Sequence, residues 1–315
     1  MTAIVVENLV KDYPTRKGPV RALSGVSFQV EPGEIVGLLG ANGAGKTTII
    51  KILCGLVRAT AGKAEIFGIP ADRPEVAKHV AALLEGSRNV YWRLSVEENL
   101  RFFAGLQGVG LREAKRRAAE LIHFFGLGEK RRVTANLLSQ GMKQKLALAC
   151  ALVKGTPVLL LDEPTLGLDV EASHELRGFI RELALRERKT VLLSSHDMGV
   201  VEDTCRRVII LARGRVVADD LVSNLLSLFR TRAYRVALRN GLPAEVLAEL
   251  TPKFPSFRWL PEERALHVEL WPSQNFYELV DALRAAGAEI EGLSRSEPDL
   301  EEVFLRLVRS EKEAP

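Results

Sequence analysis

Three glycines, Gly40, Gly43 and Gly45, precede a Lys46-Thr47 pair in GANGAGKTT, residues 40–48. Glycines at this spacing let backbone N–H groups turn inward around the oxygens of an anion, since a residue without Cβ tolerates so tight a loop. A lysine placed here reaches the outer phosphates of a nucleoside triphosphate, and a threonine hydroxyl suits a hard divalent cation. The stretch matches G-x-x-x-x-G-K-[ST], and the expected phosphate-binding set is Gly40, Asn42, Gly43, Ala44, Gly45, Lys46, Thr47 and Thr48. A turn that merely joined two elements would not require Lys-Thr at this spacing.

A second constellation is VLLLDEP, residues 158–164, in which two carboxylates, Asp162 and Glu163, follow four apolar residues. Acids at the C-terminal end of an all-apolar strand stand where open parallel sheets bind their ligands. Asp162 is expected to bind Mg²⁺, directly or through water. Glu163 is expected beyond the γ-phosphate, able to accept a proton from an attacking water. TVLLSSHDM, residues 190–198, repeats the design with a buried strand over 190–193 and a single His196 after it. An isolated histidine is usually structural; beside a phosphate site it becomes a candidate γ-phosphate contact.

The elements that must position these groups are legible around them. EIVGLL (34–39) reads as a buried strand and TTIIKILCGL (47–56) as the helix after the glycine loop. In LSQGMKQKLALACALV (138–153), Ser139 is a natural N-cap and Gly141 permits close backbone approach. Met142, Leu146, Ala149 and Leu152 then recur at helical spacing, so a second helix N-terminus suited to an anion belongs to the same chain.

With these motifs in order, the chain resembles the ATP-binding cassette of an ABC transporter over roughly residues 3–220. Walker A, the signature helix, Walker B, LGLD (166–169) as D-loop and His196 follow one another as they do in that family, and no guanine-specifying NKxD is present. The resemblance implies an α/β fold, a P-loop NTPase cassette with a mixed sheet core plus a helical subdomain at about 86–156. It further implies that Tyr13 stacks on adenine and Asp169 communicates across a dimer. Two cassettes would sandwich two ATP molecules, each with Mg²⁺ held by Thr47 and Asp162, with Ser139 and Gly141 facing the partner's γ-phosphate. The signature departs from LSGGQ, for Gln140 replaces a glycine and Met142 the glutamine. Binding is expected to survive because Ser139 and Gly141 remain.

The stretch LLEGSRNVYWRLS, residues 83–95, falls where the family has its Q-loop, a hinge that touches Mg²⁺ or water on one side and the membrane partner on the other. Glu85 stands at the position of the usual glutamine. A carboxylate strengthens a hard-cation site but repels triphosphate, so Glu85 is expected to act through the metal or to swing away without it. Ser95 and Glu98 form an S-x-x-E capping box for the helix SVEENLRFFAGL. Tyr91 and Trp92 are expected to line the groove that receives the permease rather than to pack locally, and Arg88 fits either role equally.

Composition narrows the alternatives. A net charge of +4 is modest, and basic runs such as REAKRRAAE (112–120) carry no interleaved aromatics, so a solvated helix face explains them and no nucleic-acid partner is expected. Cys54, Cys150 and Cys205 lie far apart in apolar segments without CxxC spacing and read as buried thiols in a reducing compartment. MTAIVVENLV lacks a basic n-region, and apolar runs such as LALACALV fall short of the ~20 residues of a spanning helix. With the resemblance, which implies a membrane partner, the expected location is cytoplasmic, peripheral at the inner face of the cell membrane.

Beyond residue 222 the cassette motifs stop. RAYRVAL, PAEVLAELTPKF, SFRWLP, ALHVELW, NFYELVDALRAAG and AEIEGLS alternate as strand, helix, strand, strand, helix, strand, the ferredoxin-like α+β pattern. EPDLEEVFLRLVRS reads as a final helix with Leu300, Val303, Phe304 and Leu307 on one stripe. The expected division is a cassette over 1–221 and an accessory domain over 222–315 that packs on the cassette or its dimer mate, with a small-molecule sensor as the sharper alternative. The resemblance narrows to the ATPase subunits of ABC-2-type drug and antibiotic exporters. It implies an ATPase that powers export through a separately encoded integral-membrane permease, as a homodimer or heterodimer with a second cassette. An importer ATPase shares all of this chemistry, and a non-transport ABC protein acting on ribosomes or DNA would more often carry two fused cassettes or a long coiled coil.

Overall fold

The structure is a computed structural model that describes residues 1–86, 89–228, 233–254, 257–269, 274–295, Leu300 and Phe304. Arg88 and, apart from Leu300 and Phe304, the final helix expected at 297–310 lie outside the described residues. The chain separates into two compact units, Met1–Val222 and Ser223–Leu305.

In the first unit, β1 (Ile4–Tyr13), β2 (Val20–Val30), β4 (Ala61–Ile66) and β5 (Ile69–Pro70) form an antiparallel sheet in the order β2-β1-β4-β5. The second sheet has the order β10-β9-β3-β8-β7-β6, built from β3 (Ile35–Leu39), β6 (Val80–Leu83), β7 (Val158–Asp162), β8 (Thr190–Ser195), β9 (Arg207–Ala212) and β10 (Arg215–Leu221). All its neighbours are parallel except β10, which returns antiparallel to β9. The sheet is therefore mixed.

Every residue of β7 and β8 is buried. That explains why these strands read as unbroken apolar runs rather than alternating ones: both faces are covered. Helix α1 (Lys46–Leu53) gives Ile49, Ile50, Ile52 and Leu53 to one core shared with Leu9, Leu23 and Val26 of the antiparallel sheet and Val36, Leu38, Leu160 and Leu192 of the mixed one. The glycine loop is thus anchored on both sides.

Helices α2 (Val96–Leu106), α3 (Leu111–Phe124) and α4 (Gln140–Leu152) fall between β6 and β7 in the chain, and α2 packs on both α3 and α4. Ser95 caps α2: its hydroxyl accepts from Glu98 N at 3.3 Å, and the Glu98 carboxylate accepts from Ser95 N at 2.8 Å. The S-x-x-E box is fully formed. On α3, Ala114, Ala118 and Ile122 are buried while Arg112, Lys115 and Arg116 are exposed, as a solvated basic face requires. Helices α5 (Val170–Glu187) and α6 (Met198–Thr204) complete the unit.

After α7 (Val222–Leu228), the second unit runs β11 (Ala233–Leu238), α8 (Ala244–Lys253), β12 (Arg258–Leu260), β13 (Ala265–Glu269), α9 (Gln274–Ala285) and β14 (Ile290–Arg295). Its sheet has the order β12-β13-β11-β14 with antiparallel neighbours throughout. Val236, Leu238, Leu250, Phe254, Leu266, Val268, Leu279 and Leu283 form its core. Among the described residues, no helix is long and apolar enough to cross a membrane.

Candidate active site

The glycine loop connects β3 to α1, and Gly45 takes φ 110° immediately before the helix. A Cβ there would lie 2.6 Å from Leu23 Cδ2 and 2.9 Å from Ala22 O, so both the backbone conformation and the space require glycine. Helix α1 begins without a side-chain cap and without an acid in its first turn. Its N-terminal N–H groups and partial positive charge are left for an anion. They open on a cavity of about 480 Å³ lined by residues 42–48 together with Ala22, Glu85, Glu163, Leu166 and His196.

Lys46 is buried, and its Nζ donates to Gly40 O at 2.5 Å and to Ala41 O at 3.3 Å. Glu163 Oε1 stands 3.6 Å from the same ammonium. The cation thus lies folded over its own loop, in contact with the acid at the end of β7.

Asp162 and Glu163 lie at the C-terminal edge of the parallel strands, where β3, β8 and β7 are consecutive neighbours. Thr47 Oγ1 donates to Asp162 Oδ1 at 3.1 Å and Ser194 Oγ to the same oxygen at 2.5 Å. Asp162 Oδ2 is buried and has no hydrogen-bond partner. A buried carboxylate oxygen without a donor is costly unless a cation satisfies it, and a hydroxyl and a carboxylate are the oxygen donors that Mg²⁺ takes. The residues present therefore fit the ion. No group of three or more His, Cys, Asp or Glu side chains is gathered for a metal among the described residues.

Glu163 has φ 49°, a left-handed conformation uncommon for a residue with a Cβ. It sits where such outliers gather, at a ligand-facing turn. Its Oε2 accepts from Ser195 Oγ at 3.3 Å and lies 3.0 Å from His196 Nδ1. The loop after it is tied to α4, because Gln144 Nε2 donates to Pro164 O at 2.7 Å.

Glu85 is exposed on a bend and lines two cavities, the loop cavity and a neighbouring one of about 520 Å³ that also takes in Asp162, Glu163, Gln140 and Trp92. Its turn is closed by Asn89, whose Nδ2 donates to Leu84 O at 2.7 Å and Gly86 O at 2.9 Å. Tyr91 and Trp92 are 51% and 55% exposed. Fully buried Asn99 holds the backbone beneath them through Tyr91 N, Tyr91 O, Leu94 O and Ser95 O.

Ser139 caps α4, its hydroxyl accepting from Met142 N at 3.2 Å, and Gly141 passes so near α5 that a Cβ would lie 3.0 Å from Ala172 Cβ. Asp169 caps α5 through Ala172 N at 2.8 Å. Tyr13 ends β1 with Lys11 Nζ 5.0 Å from its ring centre and is not among the residues lining the loop cavity. The fold thus gathers residues 42–48, Glu85, Glu163 and His196 around one cavity, with Asp162 joined to it through Thr47, while Ser139, Gly141, Asp169 and Tyr13 lie outside that lining. Ser194, Ser195, Asn89 and Gln144 were not singled out from sequence. Only the Ser-Ser pair ahead of His196 offered a signal, as polar residues ending a buried strand.

A phosphate-cradling loop facing two strand-end acids defines a nucleotide-hydrolysing P-loop fold. Residues 23–166 match the ABC transporter family. The chain is 35% identical over 290 residues to the Nod factor export ATP-binding protein I of Burkholderia thailandensis, covering 92% of each chain. It is 32% identical over 313 residues to the daunorubicin resistance ATP-binding protein DrrA3 of Streptomyces coeruleorubidus, covering 99% of this chain and 97% of that one. Methionine import ATP-binding protein MetN 2 of Bacillus licheniformis is 32% identical over 227 residues, 70% of this chain and 67% of that one. Among solved structures, the dimeric post-hydrolysis state of the ATP-binding cassette MJ0796, bound to ADP and Pi, matches with TM-score 0.63 and 27% identity, covering 69% of this chain and 98% of that one. The chain belongs to the ATP-binding subunits of ABC transporters and is an ATPase of that family.

Proposed function

We propose that this ATPase powers export through a separately encoded integral-membrane permease, at the inner face of the cell membrane, paired with a second cassette. The observation that carries the export reading is coverage: two Nod factor export proteins and the daunorubicin resistance protein align over more than nine tenths of this chain, second unit included, whereas the methionine importer aligns over 70% and a further Nod factor export protein over 71%. Exposed Tyr91 and Trp92 on a backbone pinned by Asn99 suit a rigid permease-facing lip.

In the proposed reaction, the glycine-loop N–H groups and the α1 N-terminus hold the phosphates, and Lys46 leaves Gly40 O and Glu163 for the β- and γ-phosphates. Thr47 and Asp162 would hold Mg²⁺, with Glu85 beside them, and the ion would supply positive charge that offsets the negative charge of the triphosphate. Glu163, relieved of Lys46, accepts the proton of an in-line water. The water oxygen bonds to the γ-phosphorus as the bond to the bridging oxygen of ADP breaks, releasing ADP and phosphate. His196 contacts the γ-phosphate, Tyr13 the adenine, and Ser139 and Gly141 the nucleotide of the opposite cassette, with Asp169 at the seam. The second unit serves as an accessory domain of ferredoxin-like pattern.

Affinity capture of the full chain from membranes tests the reading. Recovery of an integral-membrane permease that exports substrate supports it, and recovery with ribosomes or DNA instead overturns it. A permease that imports substrate would favour the second reading, an importer ATPase, which the methionine-import relative keeps in view.

A further inference from the structure

Asp162 and Glu163 are adjacent in the chain, yet each is held by a different hydroxyl of β8. The register pairs Asp162 with Ser194. Register partners on neighbouring strands share a face, and successive residues point to opposite faces. Ser194 therefore meets Asp162, while Ser195, one step on, reaches Glu163 where β7 has ended and the backbone turns at φ 49°. Ser194 Oγ lies 2.5 Å from Asp162 Oδ1, and Ser195 Oγ 3.3 Å from Glu163 Oε2. Both serines are fully buried, so neither hydroxyl is turned to solvent.

The direction of each proton follows from the second contact each hydroxyl makes. Glu163 N donates to Ser194 Oγ at 3.3 Å, and Asp197 N donates to Ser195 Oγ at 3.0 Å. A hydroxyl has one proton to give, so with a backbone N–H on each oxygen the protons are aimed at the two carboxylates. Asp162 Oδ1 takes Ser194 as well as Thr47, and the unpartnered oxygen is Oδ2. Glu163 Oε2 takes Ser195 and faces His196, which leaves Oε1 toward Lys46.

We infer that Ser194 and Ser195 are positioning residues for ATP hydrolysis: Ser194 decides which oxygen of Asp162 faces the metal, and Ser195 which oxygen of Glu163 is left for the attacking water. The inference rests on the roles proposed above for those two acids. It assigns the two hydroxyls separable effects, which a merely structural role would not produce.

Ser195→Ala is expected to lower kcat roughly tenfold, the scale of one lost hydrogen bond, with KM for ATP and the Mg²⁺ midpoint unchanged. Ser195→Thr, which keeps the donor, retains most of the rate. Ser194→Ala is expected to weaken Mn²⁺ binding several-fold in the complex with a non-hydrolysable ATP analogue, read by electron paramagnetic resonance without turnover. Nucleotide binding in EDTA stays the same, and Ser194→Thr restores the metal affinity. Equal effects of the two alanines on kcat and on Mn²⁺ affinity, or wild-type behaviour of both, overturn the inference, as does a threonine variant as impaired as its alanine. Glu163→Gln measured alongside separates the two levels: undiminished turnover there defeats the assignment of the base, whereas a slow Glu163→Gln with a fast Ser195→Ala defeats only the positioning role.

Discussion

Lys46 Nζ lies 3.6 Å from Glu163 Oε1, with both side chains buried at the mouth of the glycine loop. The ammonium and the carboxylate to which the proposed reaction assigns phosphate and water face one another in this arrangement. On the proposed reaction, triphosphate, with more negative charge and more acceptor oxygens, is the stronger partner for the ammonium, so its arrival would release the acid. Binding and activation would then be one exchange of partners.

Glu163→Gln keeps the shape of the side chain and removes the proton acceptor. ATP binding, followed by ligand-induced thermal stabilisation, is expected to stay within about threefold, while phosphate release falls at least about a hundredfold, the usual scale of a lost general base. Near-normal turnover would sink the assignment.

Glu85→Gln tests the carboxylate that lines both cavities. Loss of a hard oxygen donor is expected to raise the Mg²⁺ concentration for half-maximal ATPase rate several-fold. If Mg²⁺ dependence and rate are both unchanged, Glu85 has no part at the metal.

The three thiols are predicted to be inert in the native protein. Burial pushes Cys54 and Cys205 up to about 12 and Cys150 upward as well. At pH 8, iodoacetamide is expected to modify almost none of them until denaturant is added. The linkage has a definite sign: native thiols keep protons that unfolded thiols lose above about 8.5, so their contribution to stability is complete below that pH and declines as pH rises toward 12. Cys150 and Cys205 are buried as expected and Cys54 is half-buried, so rapid native labelling at pH 8 would contradict these placements.

Ser95→Ala breaks the capping box of α2 at both of its hydroxyl contacts, from Glu98 N and to Glu98 Oε2. A loss of about 1 kcal/mol is expected in urea unfolding. Because Ser95 lies away from the loop cavity, basal ATPase rate per folded molecule should be unchanged, and a variant as stable as the wild type would mean the cap carries no weight.

Local chemistry made much of the site legible. The glycine loop is a run of adjacent residues whose spacing alone encodes the turn, and the acids of β7 follow a strand apolar enough to mark itself as buried. The Ser95 and Ser139 caps form as their local patterns indicate, since each bond spans three residues. Tyr13 differs, since its expected place rests on the family resemblance alone and it ends β1 outside the lining of the loop cavity.

By itself, then, the sequence determined which groups are present and the short-range turns and caps that carry them, because φ, ψ preference and hydrogen bonds over three or four residues are settled within the segment. Only the tertiary structure decided which hydroxyl meets which acid. Ser194 reaches Asp162 and Ser195 reaches Glu163 because β7 and β8 pair in one register, and a slip of one residue would turn every side chain to the opposite face. That register belongs to the parallel alignment of β7 with its neighbours β6 and β8, a property of the whole sheet that no short stretch of residues contains.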